Sequence, residues 1–248
     1  MGQSGKYFSV TKKIEIAASK QHAGNFAAKI LSDWVPIQIP KGSSCLKSVT
    51  MLVRPKGDAT PTDNIFGAEI LFSTTNTTSL GTVGAAPTHI PFPDVIGVVE
   101  LPAGNFATNL YNSTAIASTG MQGNEEQAGV PLVLTGNPTT GDNVGFDTIY
   151  MGVMAIGAMT FESTTSTINE TSFAAGTQTV ITMDGNNITR HFSAGDVLHA
   201  QDDAVLGTVA SIDSATQLTL TAANTDAIAD DDVIYNLHPI TIILGFEQ

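Results

Sequence analysis

With 248 residues, 10 basic and 23 acidic side chains and one cysteine, the chain has a formal net charge of −13 and enough length for one large domain or two smaller ones. Charged residues are only 13% of the total, and 32 Thr and 23 Gly, with Ser and Asn, fill the gap. This excludes a coiled coil and, with a single thiol, an intrachain disulfide scaffold, and the acidic balance argues against a general nucleic-acid binder.

Short β-type segments separated by Gly, Pro, Asn and Asp clusters dominate, which predicts an all-β fold. Tyr7 to Ile16 reads as the first strand. Ser19 to Leu31 places His22, Phe26 and Ile30 at i, i+4 and i+8, so a short helix and an ordered loop both fit. Trp34 to Ile39 is an edge strand or one that ends early, because Pro36 and Pro40 bound it. Leu46 to Arg54 alternates, with Val49, Met51 and Val53 inward and Ser48, Thr50 and Arg54 outward. Arg54 to Asp58 is a turn by composition. Ile65 to Phe72 and Val95 to Leu101 are strands, and polar Thr108 to Gln127 is predicted as a long surface loop. Pro131 to Leu134 is a short strand. Ile149 to Phe161 is a long one, whose Gly152, Ala155, Gly157 and Ala158 call for burial on both faces or close approach of a neighbouring backbone. At 13 residues it is too short for a membrane helix, which needs about 20. The opening Met1 to Val10 is polar, so no secretory signal is expected.

After Phe161 the composition shifts. A polar linker, Ser163 to Thr167, precedes Thr179 to Met183, a Gly185-Asn186-Asn187 turn and Ile188 to Phe192. Gly195 to Leu198, Val205 to Val209 and Gln217 to Leu220 follow, enough for a small barrel or sandwich. Thr225 to Asp232 has room for one helical turn, and Val233 to Leu237 is a last short strand. The apolar run Ile240 to Phe246 matches Ile149 to Phe161 in character, and the two are expected to pair as neighbours in one sheet. The expected architecture is therefore a jelly-roll-like β-sandwich from 1–165 plus 236–248, with a small β-barrel or sandwich domain, 166–235, inserted. Two domains in series is the alternative.

Charge is divided along the chain. Lys6, Lys12, Lys13, Lys20, Lys29, Lys41, Lys47, Arg54 and Lys56 stand against only Glu15 and Asp33 in the first 56 residues, a net +7. The other 192 residues hold Arg190 against 21 acids, a net −20. Opposite halves make those nine cations the candidate docking residues for an acidic neighbour, unless the strands scatter them over several faces.

No catalytic constellation is legible. Cys45 follows Gly42-Ser43-Ser44 and reads as a small buried hydrophobe. His22, His89, His191, His199 and His238 show no ligand spacing, although Asp196 lies between His191 and His199. Asp202-Asp203 reads as a hairpin tip, and Asp230-Asp231-Asp232, with Asp226 nearby, as a solvated turn lacking the Gly and distal Glu of a calcium loop. Glu125-Glu126 sits in the predicted long loop. No cofactor, metal site or catalytic residue is expected.

The segments Phe192 to Leu198, Val205 to Ile212 and Thr216 to Leu220 resemble a β module found in virion proteins of tailed bacteriophages, in which a Gly-Asp turn opens one strand, Leu-Gly-Thr-Val forms the next and Thr-x-Leu-Thr-Leu closes the unit. Val35 to Ser43 is similar to a strand entry in phage β-sandwich proteins. The resemblance spans about 45 residues of degenerate β pattern and carries no catalytic residue. It implies a non-enzymatic structural part of a virion, assembled in a reducing host cytoplasm, where a single Cys is at home. The leading reading is a decoration or cement protein on the outside of a phage head. It would dock on the major capsid protein or another virion protein through its lysines and form a homo-oligomer such as a trimer, with no role for a membrane or nucleic acid. Alternatives are a tail, fibre or host-recognition component, a shell-forming or connector protein, and a glycan-acting enzyme.

Overall fold

The computed structural model describes residues 6–22, 24–54, 66–88, 94–107, 115–120, 132–135, 146–161, 167–169, 172–184 and 192–248. Its first part contains β1 (Tyr7–Ile14), the one-turn helix α1 (Ala18–His22), β2 (Ile30–Pro40), β3 (Ser43–Val53), β4 (Ala68–Ser73), β5 (Val95–Leu101), β6 (Phe106–Ala107), β7 (Ala115–Gly120), β8 (Leu132–Thr135) and β9 (Phe146–Ala155). Then come β10 (Val180–Thr182), β11 (Val197–Ala200), β12 (Val205–Ile212), β13 (Gln217–Leu220), β14 (Ile234–Asn236) and β15 (Ile240–Glu247).

These strands form an all-β sandwich with a smaller sheet attached. Sheet I has the order β1-β15-β3-β7-β6, with β8 also paired to β3. Sheet II is β2-β9-β4-β5. The alternation in Leu46 to Arg54 works as expected: Val49, Met51 and Val53 are buried, and they meet Ile14, Ile242 and Leu244 from the same sheet and Ile37, Ile70, Ile149 and Met151 from the other. β1 follows the same rule, with Phe8 turned toward the core and stacked on Phe246 at 5.0 Å.

Three expectations are corrected. Ile149 to Phe161 and Ile240 to Phe246 do not pair. β9 lies between β2 and β4, and β15 lies between β1 and β3. Their shared apolar character reflects burial on a central strand, which both have, and says nothing of which strand is the neighbour. The predicted loop from Thr108 to Gln127 contains β7, which pairs with β3 from Ser48–Gly120 to Val53–Ala115; its Ala-, Ser- and Thr-rich sequence was too polar to flag a strand. Thr225 to Asp232 forms turns and an isolated bridge, with no helix. In Ser19 to Leu31 the helix is a single turn; Phe26 and Ile30 are buried beyond its end.

β9 is buried on both faces, as its small residues required. One face meets the sandwich core. The other is covered by the segment 74–88, whose fully buried Leu80 packs with Trp34, Leu71 and Met154. The Trp34 indole N–H donates to the Thr78 carbonyl at 2.8 Å, and the Leu80 N–H to the Asp33 carboxylate at 2.9 Å. Gly152 makes this possible, because a Cβ there would collide with the Leu80 side chain.

Between β9 and β15 the chain builds its third sheet, β10-β13-β12-β11-β14, around Ile181, Leu198, Leu206, Leu218 and Ile234. The segments Phe192 to Leu198, Val205 to Ile212 and Thr216 to Leu220 form its β11-β12-β13 meander. Thr167 bridges Val233 and Ile168 bridges Met183, which stitches the outer strands β14 and β10 together without a full strand, so no barrel closes. The expected Gly185-Asn186-Asn187 turn lies outside the described residues.

The smaller sheet is seated on one end of sheet I. Ala18 of α1 packs with Val233, Tyr235 and Leu237. Buried Gln21 donates to the carbonyls of Ile16 and Asn236 at 2.7 and 2.9 Å, satisfying two backbone acceptors at once. Ser19 donates its N–H and hydroxyl to the Asp203 carboxylate at 2.9 and 2.6 Å. Arg54, just past β3, grips Asp196 through two bonds of 2.8 and 3.2 Å.

Candidate functional site

The nine predicted docking cations are divided between the two ends of the sandwich. Lys6, Lys41 and Lys47 lie where β1 and β3 begin and β15 ends: Lys6 exchanges backbone bonds with Gln248, the Lys41 carbonyl accepts from the Gln248 amide at 3.3 Å, and Lys47 ion-pairs with Glu247 at 2.8 Å. Lys12 and Lys13 sit near the other end of β1, opposite Ile242 and Thr241, and as consecutive strand residues they point to opposite faces. Lys20 is on α1 beside the smaller sheet, Lys29 precedes β2 at that same end, and Arg54 is committed to Asp196. Lys56 lies outside the described residues. At ~3.3 Å per residue, Lys6 and Lys13 are roughly 23 Å apart, well beyond the ~8 Å over which salt leaves exposed charges in contact. The cations therefore do not act as one patch.

The far group faces acid from its own chain. Residues 167–236 carry ten acidic side chains and one basic, a net −9. Most of the described acids there fasten turns: Asp196 accepts from the Ser193 N–H, Asp202 from Ala204 and Asp232 from Ala229. The Ser211 and Thr219 hydroxyls hold the Asp213 carboxyl below the usual range, and the Ser19 hydroxyl does the same for Asp203. Among the described residues no group of three His, Cys, Asp or Glu could hold a metal ion. His199 is buried with Nδ1 at 3.2 Å from the Asp203 carbonyl; His89, His191 and the Glu125-Glu126 pair lie outside the described residues.

The near group has apolar company that sequence reading missed. Tyr7 is 74% exposed and Val133 58%. Register places them in one row across four strands, Tyr7–Glu247–Cys45–Val133, on the outer face of sheet I. Cys45 is thus a half-buried strand residue and not the fully buried hydrophobe expected. A signal for Tyr7 was present: consecutive aromatics on a strand face opposite ways, so with Phe8 inward Tyr7 must be outward.

A β-bulge shapes this end. Gly245 pairs with Ser48 and Phe246 with Leu46, leaving Lys47 as the extra residue. The bulge turns Lys47 to the outer face along with Ser48. There it meets Glu247, whose other oxygen accepts from the Tyr7 hydroxyl at 3.1 Å. Lys47 first, then Tyr7, holds the Glu247 carboxyl below its usual range, and Glu247 in turn raises Lys47. Tyr7, Ser9, Ser48 and Gly245 line a shallow groove of about 360 Å³ beside this pair. The surface presents a pinned aromatic ring, a valine and the exposed Lys6 and Lys41, at the end opposite the acidic sheet.

No helix among the described residues is long and apolar enough to cross a membrane. No protein-family model matches the chain, and no curated protein does. Two solved structures, of infectious bursal disease virus strains Gx and Gt, align with 99% of this chain at 10% and 11% identity, with TM-scores of 0.16 and 0.12. The chain spans 41% and 40% of the length of those two chains. Superpositions this loose carry no argument about function, which has to come from the chain's own surface.

Proposed function

We propose that the chain is a non-enzymatic structural protein of a virion, a decoration or cement protein on the outside of a tailed-phage head. The observation that carries the reading is the polarity of the molecule: exposed Tyr7 and Val133 with Lys6 and Lys41 at one end, and a sheet of net charge −9 at the other. Its partner is an acidic surface of the major capsid protein or another virion protein. The Tyr7 end docks, with the aromatic ring as the desolvated anchor and the lysines steering approach, and the acidic sheet stands toward solvent. The phage-like pattern of β11 to β13 supports the same class, and assembly follows synthesis in the host cytoplasm.

The test is co-sedimentation with expanded, empty heads that lack the protein. Occupancy should fall as salt rises, and Tyr7→Ala combined with Lys41→Glu should reduce it on the order of tenfold or more with the fold intact. Unchanged occupancy in that variant would remove the docking assignment. Binding to host cells but not to heads would move the chain to the tail or host-recognition class.

A further inference from the structure

Among the described residues the outer strands of the sandwich are β1 and the two-residue β6 in sheet I and β2 and β5 in sheet II, and of these β1 and β5 lie on opposite flanks. β1 packs over β2, whereas β5 packs under β7 and β8. An open edge presents unpaired N–H and C=O groups to any strand that can reach it.

The direction of those groups on β1 follows from register. Lys6 exchanges both of its backbone bonds with Gln248. In the antiparallel alternation Phe8, Val10, Lys12 and Ile14 then bond to β15, and Tyr7, Ser9, Thr11 and Lys13 direct their N–H and C=O groups outward. The same four residues carry the exposed side chains of the strand. β2, the outer strand of sheet II on that flank, contains Pro36 and Pro40, which cannot donate. β1 has no proline and no acidic residue.

β5 is its complement. It has no proline and no basic residue, its Val98 is 53% exposed, and its Glu100 is exposed. Across β4, the register partner of Glu100 is Glu69. Two carboxylates side by side on a sheet repel, and neither is in an ion pair among the described residues. A cation arriving at this edge would relieve that repulsion.

We propose that β1 of one copy of this chain adds to β5 of the next, joining sheet I of one molecule to sheet II of its neighbour. The exposed charges are complementary: Lys13 is on the outer face of β1 and Glu100 is exposed on β5, and a register that sets the two opposite each other places cation against carboxylate. The interface is heterologous, since its halves differ. Each copy gives one edge and accepts another, and closure yields a ring, of which a trimer is the smallest that uses both edges of every copy at a single angle of 120°.

Sedimentation of the free full-length chain tests this without any phage head, so its failure and failure of the docking reading are separate results. The wild type should sediment as a closed oligomer at micromolar concentration. Thr11→Pro, which removes an outward N–H from an edge strand, should give a folded monomer by circular dichroism. Lys13→Glu and Glu100→Lys should each weaken association on the order of tenfold or more, and the two together in one chain should restore it. A monomeric wild type, or variants that assemble as the wild type does, would overturn the proposal.

Discussion

Arg54 reads from sequence as a docking cation, but its partner is in the same chain, and this makes a quantitative prediction. Its guanidinium meets Asp196 through bonds of 2.8 and 3.2 Å, with the two side chains 26% and 11% exposed. The fork geometry and partial burial place the pair above an exposed surface bridge, worth 0 to about 1 kcal/mol, and below a fully buried one, whose breakage costs about 3–5. We expect a coupling of about 1–2 kcal/mol. Arg54 has further interactions, so Arg54→Met alone overstates the pair. A double-mutant cycle with Asp196→Asn, which keeps an acceptor for the Ser193 N–H, cancels the rest. The assay is denaturant or thermal unfolding of the four proteins. A coupling of 1.5 kcal/mol moves the midpoint by roughly 3–6 °C for a chain of this size. A coupling below about 0.5 kcal/mol would refute the claim that this pair helps fasten the smaller sheet to the sandwich.

Leu80→Ala should cost about 2–5 kcal/mol and shift the fluorescence of Trp34, the sole tryptophan, to the red as water reaches it. Gly152→Ala should destabilise by about 1–3 kcal/mol through collision with Leu80, and Leu80→Ala in the same chain should absorb most of that loss; independent, additive losses would contradict the packing described. Asp147 is 3% exposed and, among the described residues, accepts from the Gly42 N–H only at 3.4 Å and leaves its second oxygen without a partner, so Asp147→Asn should be neutral or stabilising; a loss above about 1 kcal/mol in chemical denaturation would show that the carboxylate has a charged partner. Asp203 has a lowered folded pKa because Ser19 bonds its charged form. Its contribution is complete above the unfolded value near 4 and is lost as pH falls through the folded one. The melting temperatures of wild type and Ser19→Ala should therefore converge as pH drops below about 4, and a gap that persists there would count against the bond.

The strands and their inward faces were legible because alternation is a local property. Val49, Met51 and Val53 declare their side of β3 whatever lies beside it, and Pro36 announces an edge before any sheet is drawn. β7 was hidden because Ala115 to Gly120 has a single large apolar residue, Ile116, among Ala, Ser, Thr and Gly, and so shows no apolar alternation; pairing with β3 imposes its conformation. The Tyr7 end was only half legible. The lysines were visible, but Val133 joins Tyr7 through register across β15 and β3, and no pattern within either segment encodes that.

Sequence by itself determined that the chain is built of strands, where most of them begin, and that its cations lie early and its acids late. Only the tertiary structure decided that β9 and β15 belong to different sheets, that Arg54 is spent within the molecule, and that β1 and β5 are left as edges on opposite flanks. The reason is that side-chain periodicity is fixed within a few residues of chain, whereas neighbours, ion pairs and open edges depend on contacts between segments far apart in sequence.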